Sequence, residues 1–300
     1  MCGIAGILFK TPAANHVLGR ALVDMLDGCQ HRGPDSTGFA LYEDDVAGLR
    51  LRFLVDDDAE AQIARIRAAL AAQGAVIRAE KREGSTFLVE VGYDGEIRPF
   101  AYAMEQAAKL VSIGTALDII KDVGTSRELD SVYHLGEIRG SHGLGHVRLA
   151  TESEVKPEAA HPFWATGFAD VAIVHNGQIT NYWKMRRRLE TRGFEFRTDN
   201  DSELIAVYLA DKMAQGVTLD AALAQSVEDL DGTFSFLVST RDGIGFAKDR
   251  LAAKPMVMYE DDTLVAIASE EVSLNRLFPG HSLSTTEPAP GTYRTWSRSI

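Results

Sequence analysis

Cys2 is the residue on which chemistry would most naturally centre. A small residue in second position permits removal of Met1, which would leave Cys2 carrying both a thiol and a free α-amine. Their reference pKa values are about 8.5 and roughly 7.7–8.0. Near neutral pH such an amine is a usable general base, and the thiol is a strong nucleophile once deprotonated. One residue would then supply nucleophile and base with no separate catalytic histidine. Taken alone, a cysteine here reads more readily as a buried structural residue. Its surroundings, Gly3-Ile4-Ala5-Gly6-Ile7, are small enough to let a substrate approach the backbone.

Attack by such a thiolate on a carbonyl makes a tetrahedral oxyanion, which needs donors already in place. Asn176 and Gly177 offer a side-chain NH2 and a backbone N–H after an apolar run, although Asn-Gly is as readily a plain turn. Arg148 can grip a carboxylate with a bidentate fork. Asp201 can receive an ammonium. The structural alternatives are a surface arginine at a strand end and an N-cap aspartate opening a helix. His142 and His146 are four apart, but in a Gly-rich extended run where that spacing gives no common face, so no metal site is expected. Gly140, Gly143 and Gly145 form neither a dinucleotide fingerprint nor a P-loop. Cys29 reads as a buried helix-end residue, and Trp164 and Trp183 as packing anchors.

The elements that must position these groups follow from periodicity. Residues 2–9 are apolar and read as a buried strand. Asn15 is a plausible cap for a helix carrying Val17, Leu22, Met25 and Leu26, stopped by Gly28. A polar turn, residues 31–36, leads into a strand at 37–42. Between 43 and 140 the pattern changes to short runs: an apolar run at 51–55, a helix carrying Ile63, Ile66 and Leu70, strands at 75–78 and 86–91, and helices at 101–111 and 116–121. From 144 strands return at 144–150 and 171–175, with helices at 181–192, 201–213 and 221–230. Four β-rich runs follow at 233–240, 243–248, 256–259 and 263–268. The short turn Arg241-Asp242-Gly243 favours antiparallel pairing. Strands in two groups with helices around them indicate a layered α+β fold rather than a doubly wound parallel sheet.

Composition narrows the class further. Forty-five per cent hydrophobic and 25% charged residues in 300 are ordinary for a globular chain of one large or two modest domains. A net charge of −12 argues against nucleic acid or an acidic membrane as partner. The basic cluster at 184–188 reads as a solvated helix face. No apolar run reaches the ~18 residues needed to span a bilayer. Two cysteines without zinc spacing fit a reducing, cytoplasmic setting.

Five motifs occur in order: Met1-Cys2-Gly3-Ile4-Ala5-Gly6, Arg32-Gly33-Pro34-Asp35, Gly145-His146-Val147-Arg148, His175-Asn176-Gly177 and Asp201-Ser202-Glu203. Later segments agree: Ala160-His161-Pro162-Phe163, Asp231-Gly232-Thr233-Phe234-Ser235, Asp249-Arg250, Lys254-Pro255-Met256 and Ser269-Glu270. Each is weak alone; together they resemble the class II glutamine amidotransferase domain, an N-terminal nucleophile (Ntn) hydrolase. The resemblance covers residues 1–42 and about 141–280. It implies a four-layer αββα sandwich, interrupted by an α+β insertion at 43–140 and followed by an extended tail at 281–300. It also implies roles: Cys2 as nucleophile, Asn176 and Gly177 as oxyanion hole, Arg148 and Asp201 on the α-carboxylate and α-ammonium of glutamine. Arg32 would lie beside the pocket, and Thr151 matches a pocket residue of some members. Some members carry Trp directly after the motif Arg and His shortly after the Thr, where this chain has Leu149 and Glu152, so the upper pocket wall differs.

The resemblance further implies that L-glutamine is hydrolysed to L-glutamate and ammonia through a Cys2 thioester. Family members pass the ammonia to a synthase site. Here the resemblance ends near residue 280 with no synthase domain after it, so the acceptor chemistry is expected in partner subunits of a hetero-oligomer. The chain resembles the separate amidotransferase subunit of glutamate-synthase-like complexes such as N-methylglutamate synthase. In those, flavin and iron–sulfur groups belong to other subunits, and no cofactor is expected in this chain. Residues 43–140 are then a candidate docking surface. Two other readings are a stand-alone Ntn amidohydrolase acting on a γ-glutamyl amide and a non-catalytic scaffold subunit. The first need not keep Arg148 and Asp201; the intact site residues speak against the second.

Overall fold

The computed structural model describes residues 2–11, 16–56, 58–150 and 155–298. In its first half the chain forms β1 (Gly3–Phe9), α1 (Leu18–Cys29), β2 (Ser36–Tyr42), β3 (Leu49–Leu54), α2 (Ala59–Ala72), β4 (Val76–Glu83), β5 (Thr86–Gly92), α3 (Ile97–Ala107), β6 (Leu110–Gly114), β7 (Leu117–Val123), α4 (Ser126–Tyr133) and β8 (His142–Arg148). The second half adds β9 (Phe163–Trp164), β10 (Ala172–Ile179), α5 (Tyr182–Glu190), α6 (Asp201–Ala214), α7 (Leu219–Asp229), β11 (Gly232–Thr240), β12 (Gly243–Lys248), β13 (Val257–Glu260), β14 (Leu264–Ala268), α8 (Glu271–Asn275) and β15 (Tyr293–Ser297).

Two antiparallel sheets lie face to face, one of order β13-β14-β1-β8-β2-β7, the other β15-β12-β11-β10-β9. β1 is apolar on both faces because both are covered. Ala5, Ile7 and Phe9 pack beneath α1, whereas Ile4 and Leu8 enter the core between the sheets. Helices α1, α4 and α8 cover the outside of the first sheet; α6 and α7 cover the second, with α5 against α6. This is the αββα order that the resemblance implies, and β11 and β12 are antiparallel as their short turn requires.

The segment 43–140 does not stand apart as one unit. Its β4, β5, β3 and β6 form a third antiparallel sheet with α2 and α3, but β7 pairs with β2 as an edge strand of the first sheet, and α4 packs on α1. One apolar core runs from Ile4 and Leu8 through Leu117 and Ile119 to Phe53 and Val89 of the third sheet. Polar ties cross the same boundary. Arg52 on β3 grips Asp118 on β7 through Nε and Nη2 at 2.7 and 2.6 Å. Burial opposes ionisation of Asp118, yet the guanidinium holds its pKa below the usual aspartate value. The Asp170 carboxylate accepts from the backbone N–H groups of Thr115, Ala116 and Leu117, each at 2.9 Å, and so closes the β6–β7 turn.

Three expectations need correction here. Residues 116–121, expected as a helix, form β7: Leu117 and Ile119 enter the inter-sheet core while Ile120 faces α1 and α4, a period of two. α3 stops at Ala107, because Ala108 is already extended (φ −162°, ψ 166°), and residues 110–111 begin β6. The last residues are not wholly an extended tail. Tyr293–Ser297 is an edge strand on β12, with Trp296 opposite Ile244 and only 9% exposed.

Candidate active site

The register of β1 against β8 sets Gly3 opposite Val147, which carries Cys2 to the level of Arg148. Cys2 is partly exposed, and its Sγ lies 3.9 Å from the Leu149 carbonyl. Its own carbonyl is held from two sides: Arg32 Nε donates at 3.0 Å and Asn176 Nδ2 at 3.1 Å. Arg32 ends the one-turn 3-10 helix Gln30–Arg32 after α1, and its guanidinium pairs with Glu270, directly beyond β14. Next to Glu270, Ser269 Oγ accepts from Ile4 N at 3.0 Å and from Asn176 Nδ2 at 3.3 Å, and Ser269 N donates to the Ile4 carbonyl at 3.0 Å. The first residues of β1 are therefore anchored by the 3-10 turn after α1, by β10 and by the residues that follow β14.

Asn176 and Gly177 do not form a turn. They lie within β10, opposite Ser235 and Phe234 of β11. Gly177 has φ +136°, and a Cβ there would stand 1.9 Å from the Thr233 carbonyl, so no other residue fits. Both hydrogens of the Asn176 amide are engaged, one by Cys2 O and one by Ser269 Oγ.

Arg148 is buried at the end of β8, and its carbonyl accepts from Asp35 N at 3.1 Å. The Asp35 carboxylate in turn accepts from Ala150 N at 2.7 Å, so the RGPD turn fixes the strand end that carries Arg148. Asp201 is not the N-cap of α6: Asn200 takes that place, its side chain accepting from Ser202 N. Asp201 is left to accept from Ile179 N at 3.0 Å and to stand 3.3 Å from His175 Nδ1. Burial opposes its ionisation, but His175 and the backbone N–H groups of Ile179 and Ser202 hold its pKa below the usual value. Gly177 and Asp201 share a cleft of about 670 Å³ that is also lined by Phe163, Tyr182 and Thr198. The structure thus joins Cys2 to Asn176 by a hydrogen bond, sets Arg148 at the level of Cys2, places Arg32 behind Cys2, and puts Gly177 and Asp201 on one cleft, whose lining does not include Cys2 or Arg148. Thr151 and Glu152, like Asn15, lie outside the described residues; Leu149 is 36% exposed.

Several contributors carry no role in the motif reading. Ser269 and Glu270 were legible as one of the agreeing motif segments, without any sign of what they touch. Lys121 was hidden by the helical reading of its segment. On β7 it points toward β9, buried, and its ammonium donates to the carbonyls of Ala160 at 2.8 Å, Glu158 at 3.3 Å and Pro162 at 3.4 Å, with the Phe163 ring 4.9 Å away. It thereby fixes the segment that walls the cleft. Burial lowers its pKa to about 8 against the pull of Glu158, Glu203 and Glu105, with Arg148 adding to the lowering. The folded chain therefore releases this proton before the unfolded one does, and the stability cost of burying the ammonium fades as pH rises above about 8. The clamp, however, weakens over the same range, because a neutral amine has only two hydrogens for three carbonyls. Lys121→Met should raise KM for the cleft's substrate at pH 7 with the melting temperature tracked in parallel. It should also remove any rise in KM that the parent shows from pH 7 to 9; an unaltered KM profile would discount the clamp.

Trp164 is buried as expected, its Nε1 donating to Phe168 O at 2.6 Å, but Trp183 is 60% exposed and anchors no core. Cys29 is buried at the end of α1, where burial pushes its thiol up to about 11. Beneath the site, the rings of His146 and His161 meet with centroids 4.0 Å apart and planes tilted by 46°, and burial holds both well below the usual histidine pKa.

Residues 146–276 match the family described as a glutamine amidotransferase domain. A protein of Methanothermobacter thermautotrophicus, provisionally named a glutamine amidotransferase, is 37% identical over 96% of this chain and 97% of its own length. The glutamine amidotransferase-like protein GlxB of Rhizobium meliloti is 36% identical over 99% of this chain and 98% of its own. An amidophosphoribosyltransferase of Methanocaldococcus jannaschii is 29% identical over 58% of this chain and 37% of that enzyme. Among solved structures, the glutamine phosphoribosylpyrophosphate amidotransferase of B. subtilis is similar in fold, with a TM-score of 0.61 at 19% identity; the match covers 100% of this chain and 50% of that one. The chain spans half the length of that structure.

Proposed function

Because this chain belongs to the class II glutamine amidotransferase family, we propose that it hydrolyses L-glutamine through a thioester on Cys2 and supplies the ammonia to a synthase subunit of a glutamate-synthase-like complex. Once Met1 is removed, the Cys2 α-amine takes the thiol proton. The thiolate attacks the side-chain amide carbon, and the oxyanion is received by Asn176 Nδ2 and Gly177 N–H. The α-ammonium returns the proton to the leaving nitrogen, and ammonia departs. Water, deprotonated by the freed amine, then cleaves the thioester and releases glutamate. Arg148 holds the substrate α-carboxylate and Asp201 its α-ammonium. Arg32 is better placed to hold Cys2 than to hold substrate, since its Nε is on the Cys2 carbonyl and its guanidinium on Glu270.

One observation carries this reading: the Asn176 amide is hydrogen-bonded to Cys2, while its neighbour Gly177 opens on the cleft that contains Asp201. The separate-subunit reading draws support from relatives of nearly equal length, whereas the phosphoribosyl-transferring relative is matched over 37% of its length. On this reading flavin and iron–sulfur groups, as in N-methylglutamate synthase, belong to partner subunits, and the setting is the cytoplasm. Among the described residues no helix is long and apolar enough to cross a membrane.

The test uses glutamine labelled with ¹⁵N in its amide, given to the chain alone and to the chain co-purified with its native partners. Glutamate should form in both, with label entering an organic acceptor only when partners are present. A chain that turns over other γ-glutamyl amides but not glutamine would instead be a stand-alone amidohydrolase. Mass spectrometry of active material should show Met1 absent; retained Met1 with no turnover would favour the scaffold reading.

A further inference from the structure

Ser269 and Glu270 lie where β14 passes into α8, and α8 packs on α1. Gly28 lets these two helices come close: a Cβ there would stand 3.0 Å from Ser273 Cα and 3.1 Å from the Val272 carbonyl. The turn that closes α1, with His31 and Arg32, is thereby brought against the start of α8. Gly3 closes the same corner from β1, since a Cβ on it would meet Cys29 Sγ at 2.8 Å.

Glu270 occupies the N-cap position of α8, where Ser, Thr, Asp or Asn is usual, yet its side chain caps no backbone N–H. The carboxylate is directed to the turn after α1 instead. One oxygen pairs with Arg32 Nη1, and the other stands 3.1 Å from His31 Nε2. With each oxygen engaged, the carboxylate is fixed in place and in rotation. The Arg32 side chain is only 9% exposed and presents Nε to the Cys2 carbonyl at 3.0 Å. A guanidinium is planar and rigid, so holding one of its nitrogens directs the others. The second lone pair of the Cys2 carbonyl is taken by Asn176 Nδ2. If an oxyanion draws the Asn176 amide away, Arg32 Nε remains on the nucleophile's peptide.

We propose that Glu270 is a positioning residue: through Arg32 it fixes the Cys2 peptide, and with it the aim of the nucleophile, without touching substrate. The kinetic half of this assignment rests on the Cys2 thioester reading; the hold on the Cys2 carbonyl does not.

The experiment compares the full-length parent with Glu270→Ala and Glu270→Gln in two measurements. The first is carbonyl NMR of chain labelled with [1-¹³C]cysteine, the Cys2 signal being identified by its loss in Cys2→Ala. Arg32→Met removes the donor and gives the reference shift for a carbonyl released by Arg32. Glu270→Ala should move the signal in the same direction. Glu270→Gln should move it less, because its amide oxygen still accepts from Arg32 Nη1. The second measurement is steady-state kinetics with glutamine. In Glu270→Ala kcat should fall on the order of 10–100-fold, the scale on which a small misplacement of reacting groups costs rate, with KM unchanged. Glu270→Gln should recover part of that loss, and it decides by the same two signs if Glu270→Ala does not fold. An unmoved Cys2 carbonyl, an unchanged kcat or a loss confined to KM overturns the assignment. A parent inert towards glutamine sinks the glutaminase reading instead, and the carbonyl shift still decides whether Glu270 holds Cys2.

Discussion

Cys2→Ala protein should form no glutamate from glutamine above the uncatalysed background, while melting at the temperature of the parent. The change removes one atom, Sγ, whose polar contact is a long 3.9 Å approach to the Leu149 carbonyl. What fixes the residue is its backbone, through Arg32 and Asn176, and that is untouched. Alanine is also small enough for Met1 to be removed, so the α-amine base persists and the nucleophile alone is lost. Because a thioester needs that sulfur, the loss is one of kcat and not of substrate binding. A stopped assay for glutamate, with a thermal melt of the same sample, measures both. Turnover at the parent's rate in this variant would remove Cys2 from the reaction.

Asn176→Ala should lower kcat by about 10²–10³-fold, the usual loss for one oxyanion donor, with a smaller change in KM. The substitution deletes a side-chain donor that touches both Cys2 and Ser269. Gly177 N–H would remain, so activity should fall and not vanish. The local strand should persist, since Asn176 pairs with Ser235 through its backbone. Steady-state kinetics decide the point: an effect confined to KM would mean that the amide binds substrate and does not stabilise the oxyanion.

What the sequence made legible is what depends on local order. The layered fold follows from apolar runs of strand length, and Cys2, Asn176, Gly177, Arg148 and Asp201 were legible as ordered motifs. Less legible was anything set by contacts distant in sequence. Lys121 lies on a strand whose Asp118-Ile119-Ile120-Lys121 stretch has no clean alternation, because its two faces meet different partners: Arg52 on one side, carbonyls of residues 158–162 on the other. The Asn200 cap displaced Asp201 from that role because both residues suit it, and only the tertiary position of Ile179 and His175 decides between them. The terminal strand on β12 was hidden among prolines and serines, since an edge strand needs only one paired side.

The doubly occupied amide of Asn176 has a consequence for the order of events. If Asn176 receives the oxyanion as proposed, the anion claims one of its hydrogens by displacing the Cys2 carbonyl or the Ser269 hydroxyl. Assembly of the anion hole is thus tied to a shift of the nucleophile's own peptide or its neighbour. A ligand gripped at both of its α-groups has binding energy to drive that rearrangement, and a stray amide lacking them does not. On the proposed reading, this arrangement would restrain hydrolysis of amides that lack those α-groups.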